Sequence, residues 1–136
     1  MSSRDDNIAT QEKAAERLNA GDVDAGVDIM FAPDAVDHDP APFQEQGREG
    51  YRRFFHYLVG AFPDFTITPE RMVADDDTIA FAYTLTGTHQ GDFEGVAATG
   101  RRIEVRGLQL GRFEDGQIVE RWGATDMAGL LAQLQP

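Results

Sequence analysis

The spacing of hydrophobic residues predicts three helices in the first half of the chain. A first helix is expected over residues 5–20, and a shorter one begins after Asp22, which suits an N-cap, and ends at Pro33. Between this helix and the next, residues 35–40 predict a short strand that runs into a proline-bounded loop. The clearest helix follows Gly47, where apolar side chains recur at helical spacing: Tyr51, Phe54, Phe55, Leu58, Val59 and Phe62.

The period of the pattern changes from 3.6 to 2 after Pro63. Alternation of apolar with small or polar side chains predicts strands over residues 65–74, 78–89, 102–113 and 118–125. Asp115 and Gly116 are typical of a hairpin turn, and residues 127–133 predict a last helix. Helices followed by an antiparallel meander predict an α+β fold with helices on one face of a sheet, and residues 1–136 are expected to form one such domain.

Composition limits the class of partner. The net charge is −12, and Lys13 is the only lysine. Such a charge repels phosphate backbones and anionic lipids, so neither nucleic acid nor a membrane surface is expected to bind. The acid excess fits either a well-solvated surface or a protein from a salt-rich cytoplasm.

Other features of the sequence bear on location and cofactors. No apolar run approaches the roughly 20 residues of a membrane span, and the N-terminus lacks a secretion signal, so a cytoplasmic location is expected. The chain has no cysteine, and His38, His56 and His89 show no metal-ligand spacing. With no glycine-rich nucleotide motif either, we expect no metal and no organic cofactor.

Three stretches of the sequence resemble a known family. They comprise residues 36–40 with 47–50 and 62–64, residues 84–91 with 99–101, and residues 113–122 with Asp126 beyond them. Their order and spacing resemble the polyketide and ester cyclases of the SnoaL-like family, which belongs to the nuclear-transport-factor-2-like superfamily. The resemblance extends over about residues 8–134.

This resemblance implies a cone-shaped fold. Helices and a strongly curved, mainly antiparallel sheet would enclose one pocket for a small apolar organic molecule, and two copies would pair through the outer face of the sheet. The best-known members close a carbon ring by aldol condensation without a cofactor, using an aspartate that matches Asp126 and a histidine fourteen residues earlier. Arg112 stands at that earlier position. An arginine cannot exchange a proton near neutral pH, but it can hold an enolate or a carboxylate.

Asp126 is the main candidate for a catalytic base. Counting by twos along the last strand puts it on the same face as Trp122, so the indole would form a pocket wall beside the carboxylate. Loss of water there would raise the pKa of Asp126 and make it a better base. The alternative is that Asp126 is only the N-cap of the last helix.

The other candidate site residues come from the same motifs. His38 is expected either at the pocket rim, shuttling a proton, or as an exposed loop residue, and His89 either as a pocket contact or as part of a structural turn. Gln109 and Arg112 offer hydrogen bonds to a carbonyl oxygen, although their opposite parity lets both face inward only across a bulge. A surface ion pair with a residue such as Glu120 is the alternative for Arg112. The aromatic pocket-lining candidates are Tyr51, Phe55 and Tyr83.

Three functions remain open from the sequence. The first is proton transfer next to the carbonyl of a ketone or ester, leading to aldol cyclisation or double-bond isomerisation. The second is non-catalytic binding of a small molecule in the same pocket. The third is epoxide hydrolysis, which a related branch performs with two aspartates and an arginine. It is the least favoured, because the sequence offers Asp126 and Arg112 but no clear second aspartate on a strand.

Overall fold

The computed structural model describes residues 3–136, and its elements lie close to those expected. The helices are α1 (Arg4–Asn19), α2 (Val23–Met30), α3 (Gly47–Ala61) and α4 (Met127–Gln133); the strands are β1 (Phe31–Asp37), β2 (Thr66–Ala74), β3 (Thr78–Thr88), β4 (Arg102–Glu114) and β5 (Gln117–Thr125). Asp22 caps α2 as predicted, because its side chain accepts a hydrogen bond from the backbone of Ala25. None of the helices formed by residues 3–136 is long and apolar enough to span a membrane.

Strand β1 begins earlier than the sequence predicted. Helix α2 ends at Met30, and Pro33 lies inside the strand instead of ending the helix. A proline is tolerated there because β1 is at the edge of the sheet, where the missing N–H breaks no internal ladder. The pairing of β1 is also irregular between Phe31 and Val36.

The five strands form one mixed sheet in the order β1-β5-β4-β3-β2. Strand β1 runs parallel to β5, and the remaining neighbours are antiparallel. The helices pack on a curved sheet, which confirms the predicted α+β cone. Two clusters of buried side chains fill the space between sheet and helices, and Phe55 of α3 packs against both.

A β-bulge in β5 decides which side chains face the interior. Arg112 pairs with Glu120 and Phe113 pairs with Ile118, so Val119 is the extra residue. Ile118 is fully buried on the inner face, while Glu120, two residues later, is on the outer face with Arg112. From Arg121 onward, the odd-numbered residues of β5 face inward.

The outer face of the sheet keeps large apolar side chains in contact with solvent. Leu108 is 64% exposed and Val73 is 60% exposed, and Leu110 and Val36 are also exposed. These residues belong to three different strands, β1, β2 and β4, so the apolar surface extends across the sheet.

Candidate functional site

An apolar cavity of about 60 Å³ lies between α1 and the inner face of the sheet. Its wall is formed mainly by hydrophobic side chains from six elements, including Leu18, Met30, Phe31, Phe55, Met72 and Phe81. Three polar residues interrupt this apolar wall. They are the carboxamides of Gln11 on α1 and Gln109 on β4, and Glu12 on α1.

A second, more polar cavity of about 170 Å³ lies between the loop that follows β1 and the end of β5. We call this cavity the mouth. Its polar wall contains Asp39, Gln44, Arg121 and Thr125. Phe54 of α3 is among its apolar contacts.

Arg121 and Asp37 form a buried ion pair beside the mouth. Arg121 Nη1 lies 3.2 Å from each carboxylate oxygen of Asp37, and the two side chains are 12% and 0% exposed. Asp37 also accepts hydrogen bonds of 2.9 Å from the side chain of Gln44 and from the backbone of Asp39. These contacts satisfy the buried carboxylate and hold the guanidinium in one position.

A hydrogen bond links this ion pair to the apolar cavity. Arg121 Nε donates to Gln109 Oε1 at 2.9 Å. Gln109 lines the apolar cavity and Arg121 lines the mouth. Within residues 3–136, the second terminal nitrogen of Arg121, Nη2, makes no hydrogen bond, so it can donate to a bound molecule.

One tyrosine stands close to this pair, and another contacts a residue of the mouth. Tyr51 stacks on Phe31 with 3.7 Å between ring centroids, and its buried hydroxyl has no hydrogen-bond partner in the described chain. Burial, together with the negative charge of Asp37, raises the pKa of Tyr51, so the phenol stays protonated. The Tyr83 hydroxyl lies 2.5 Å from Thr125 Oγ1, a contact that fixes a side chain of the mouth.

The sequence profile of the SnoaL-like polyketide cyclases matches residues 8–134. The chain belongs to the SnoaL-like polyketide cyclase family. The structure is similar to that of IdmH from Streptomyces antibioticus, with 34% identity, a TM-score of 0.81, and 94% of this chain and 97% of that chain covered. It is also similar to AclR from Streptomyces galilaeus, with 29% identity, a TM-score of 0.85, and 98% and 100% covered. Among curated proteins, none matches the sequence.

Asp126, the expected base of this SnoaL-like protein, is exposed and caps α4. Its Oδ1 accepts a hydrogen bond of 2.8 Å from the backbone of Gly129, which confirms the capping alternative. Thr125 and Met127 line the mouth, whereas Asp126 lines a groove on the outer face beside Arg106. The expected buried setting beside an indole is therefore wrong, and a role as base stays a prediction.

His38, Arg112 and Trp122 form a cluster on the outer face instead of lining the interior. Arg112 Nε donates to Glu120 at 2.7 Å, His38 Nε2 lies 2.9 Å from the same carboxylate, and His38 stacks on Trp122 at 4.6 Å. The hydrogen bonds from His38 and Arg112 lower the pKa of Glu120. The surface ion pair is thus confirmed for Arg112, and the expectation of Trp122 as a pocket wall is wrong. The bulge at Val119 puts Trp122 on the outer face, because it reverses which alternate side chains of β5 point inward.

His89 is buried at the end of β3 and is held by a loop. Its Nδ1 lies 3.0 Å from Thr99 Oγ1 and also accepts a hydrogen bond from the backbone of Thr99. The ring packs at 5.4 Å from Phe62. These contacts anchor residues 89–99, as the structural alternative predicted, and His89 lines neither interior cavity.

Sequence reasoning missed four residues that the structure places around the two cavities and the ion pair: Gln11, Asp37, Asp39 and Arg121. Asp37 and Asp39 stood in the motif from which only the histidine between them was chosen. Arg121 was hidden by the bulge. Gln11 sits in a helix whose apolar spacing gave no reason to single out one amide. Within residues 3–136, no group of three histidine, aspartate or glutamate side chains is arranged to hold a metal ion.

Proposed function

We propose that this protein is a cofactor-independent acid–base enzyme that removes a proton next to the carbonyl of a small ketone or ester. The product would be an aldol-type ring closure or an isomerised double bond. The observation that carries the proposal is the placement of Arg121 between a polar mouth and an apolar cavity. A substrate with an apolar end and a carbonyl group fits this combination.

Removal of a proton next to a carbonyl moves negative charge onto the carbonyl oxygen. Arg121 Nη2 can donate a hydrogen bond to that oxygen, and its partners Asp37 and Gln109 keep the guanidinium in place. Because an arginine does not lose its proton near neutral pH, its charge is present throughout the reaction. Fixed donors of this kind favour the charged transition state over the neutral substrate.

Two carboxylates are candidates for the base. Asp39 lines the mouth together with Arg121, and only one of its oxygens is occupied in the described chain, by the backbone N–H of Gly123 at 2.9 Å. Asp126 is the base that the family resemblance implies, but its side chain faces the outer groove. Geometry favours Asp39, because a base must share a cavity with the group that stabilises the enolate.

Exchange of carbon-bound hydrogen for deuterium tests both the reaction and the base. Incubation in D₂O with cyclopentanone or methyl 4-oxopentanoate is expected to label the carbons next to the ketone, as measured by NMR. Asp39→Asn is expected to slow labelling by about 100-fold or more, the usual contribution of a general base. Asp126→Asn is the matched control, because asparagine still caps a helix.

The outcomes separate the alternatives. If Asp126→Asn stops labelling and Asp39→Asn does not, the base is Asp126. If the wild-type protein labels neither ketone faster than buffer does, the acid–base proposal fails. Saturable binding of those ketones without labelling would then support the alternative of a non-catalytic binding domain.

Epoxide hydrolysis gains one supporting observation from the interior Asp37–Arg121 pair, but the oxygens of Asp37 are already occupied by hydrogen bonds.

We also propose that the protein is a homodimer through the outer face of its sheet. The apolar side chains of Leu108 and Val73 there are more than half exposed, which is costly unless something covers them. Leu108→Asp is expected to convert the dimer to a monomer, as measured by analytical ultracentrifugation, because it would bury a charge in an apolar contact. Gln135→Asp adds the same charge at an exposed position after α4. This control variant should keep the molecular mass of the dimer in the ultracentrifuge. A monomeric wild-type protein would contradict the proposal.

A further inference from the structure

Gln11 is a buried carboxamide that makes no hydrogen bond. The residue is 3% exposed, and neither Nε2 nor Oε1 has a partner anywhere in residues 3–136. An amide that loses its hydrogen bonds to water destabilises the fold unless another group replaces them. Because Gln11 lines the apolar cavity, a molecule bound in that cavity can supply the replacement.

The protein groups around Gln11 do not satisfy it. Of the other α1 residues in the cavity wall, Ala15 and Leu18 have no polar side-chain atoms, and Glu12 is exposed and makes no hydrogen bond to Gln11. The other carboxamide in the wall, Gln109, has its oxygen occupied by Arg121 and offers only N–H groups. Gln11 therefore is the one amide in this wall with both a free donor and a free acceptor.

We propose that Gln11 determines specificity by recognising a hydroxyl group on the apolar end of the substrate. A hydroxyl is the smallest group that both donates and accepts a hydrogen bond, so it matches the two unpartnered atoms of Gln11. The volume of about 60 Å³ limits this end to a few carbon atoms besides the hydroxyl. The substrate class is thus a small hydroxylated ketone or ester. This inference rests on the proposed function, in which Arg121 binds the carbonyl end of the substrate.

An ordered water is the competing explanation. Asn7, one turn earlier on α1, is fully buried and also has an unpartnered side-chain oxygen. A water held between Asn7 and Gln11 would satisfy both residues without any ligand. The two explanations differ in whether Gln11 distinguishes an alcohol from a hydrocarbon of the same shape.

A matched pair of small probes makes this distinction. Butan-2-ol and 2-methylbutane differ by replacement of the hydroxyl with a methyl group. Their affinities are to be measured by NMR titration of the full chain, following the methyl signals of Leu18 and Met72 in the cavity wall, and in the wild type also the side-chain amide signals of Gln11. We expect Gln11→Met, which keeps the length of the side chain and removes its polar atoms, to reduce the alcohol-to-hydrocarbon affinity ratio by about tenfold, the loss of one hydrogen bond. Gln135→Met is the control at an exposed site and should leave the ratio unchanged.

Gln11→Met is also expected to melt at the same temperature as the wild type or higher, because it removes an unsatisfied buried amide. An unchanged affinity ratio in Gln11→Met, or no shift of the Gln11 signals with butan-2-ol, would overturn the inference in favour of a bound water. The binding measurement needs no proton transfer. If deuterium labelling fails but Gln11→Met still lowers the alcohol-to-hydrocarbon affinity ratio, the proposed reaction is rejected and the role of Gln11 in binding stands.

Discussion

Arg121→Met is expected to destabilise the protein by about 3–5 kcal/mol, because it leaves the Asp37 carboxylate buried without its counter-charge. The side chain of Asp37 is 0% exposed, so water cannot replace the guanidinium. Urea unfolding followed by circular dichroism measures this loss. The same variant is expected to lose deuterium labelling, because the donor for the enolate oxygen is gone.

Two further variants separate stability from chemistry at this pair. In Arg121→Met with Asp37→Asn, no charge is left unpaired, so most of the lost stability is expected to return while labelling stays absent. Arg121→Lys keeps the positive charge but not the fork that holds both Asp37 and Gln109. It is expected to fold better than the methionine variant and to label ketones slowly. Normal labelling by the folded double variant would rule out Arg121 as the group that stabilises the enolate.

Gly123→Ala is expected to destabilise the protein by about 2–3 kcal/mol, because the strand has no room for a side chain at this position. Gly123 has φ of 143°, and a Cβ there would lie 2.2 Å from the carbonyl oxygen of Leu108. The neighbouring strand would have to move, and the N–H that holds Asp39 at the mouth would move with it. Chemical unfolding measures the loss of stability, and ketone labelling reports the displacement of Asp39.

Gly95→Ala is the control for this prediction. Gly95 also has positive φ, at 80°, but a Cβ there has no atom within 4 Å. Its substitution carries only the conformational cost of a left-handed residue, about 1 kcal/mol. Equal destabilisation by the two alanine variants would show that the crowding at Leu108 is relieved without cost.

The sequence was a good guide to the fold because periodicity is a local property. The aromatic helix after Gly47 and the alternation in 78–89 and 102–113 each depend on residues a few positions apart, and all became the expected elements. The parallel pairing of β1 with β5 joins residues more than 80 positions apart, such as Asp37 and Arg121. No local pattern reports such a contact, and the proline in β1 pointed away from a strand.

The site was less predictable, because it depends on which way single side chains point. Gln109, one of the expected substrate contacts, faces inward, since β4 alternates without interruption around it. Arg112 is three residues later on the same strand and points outward. In β5, one bulged residue was enough to put Trp122 outside and Arg121 inside. Asp126 was assigned from its place in a motif, and a motif does not specify the orientation of its members.

The extra residue at Val119 also bears on how roles are transferred between homologous proteins. A homologue that lacks this insertion would present the opposite set of β5 side chains to its ligand, even with an identical motif before the last helix. A sequence alignment of this strand would then pair residues that line the binding site in one protein with residues on the outer face of the other. Catalytic assignments in β5 therefore carry over only between homologues that share the insertion.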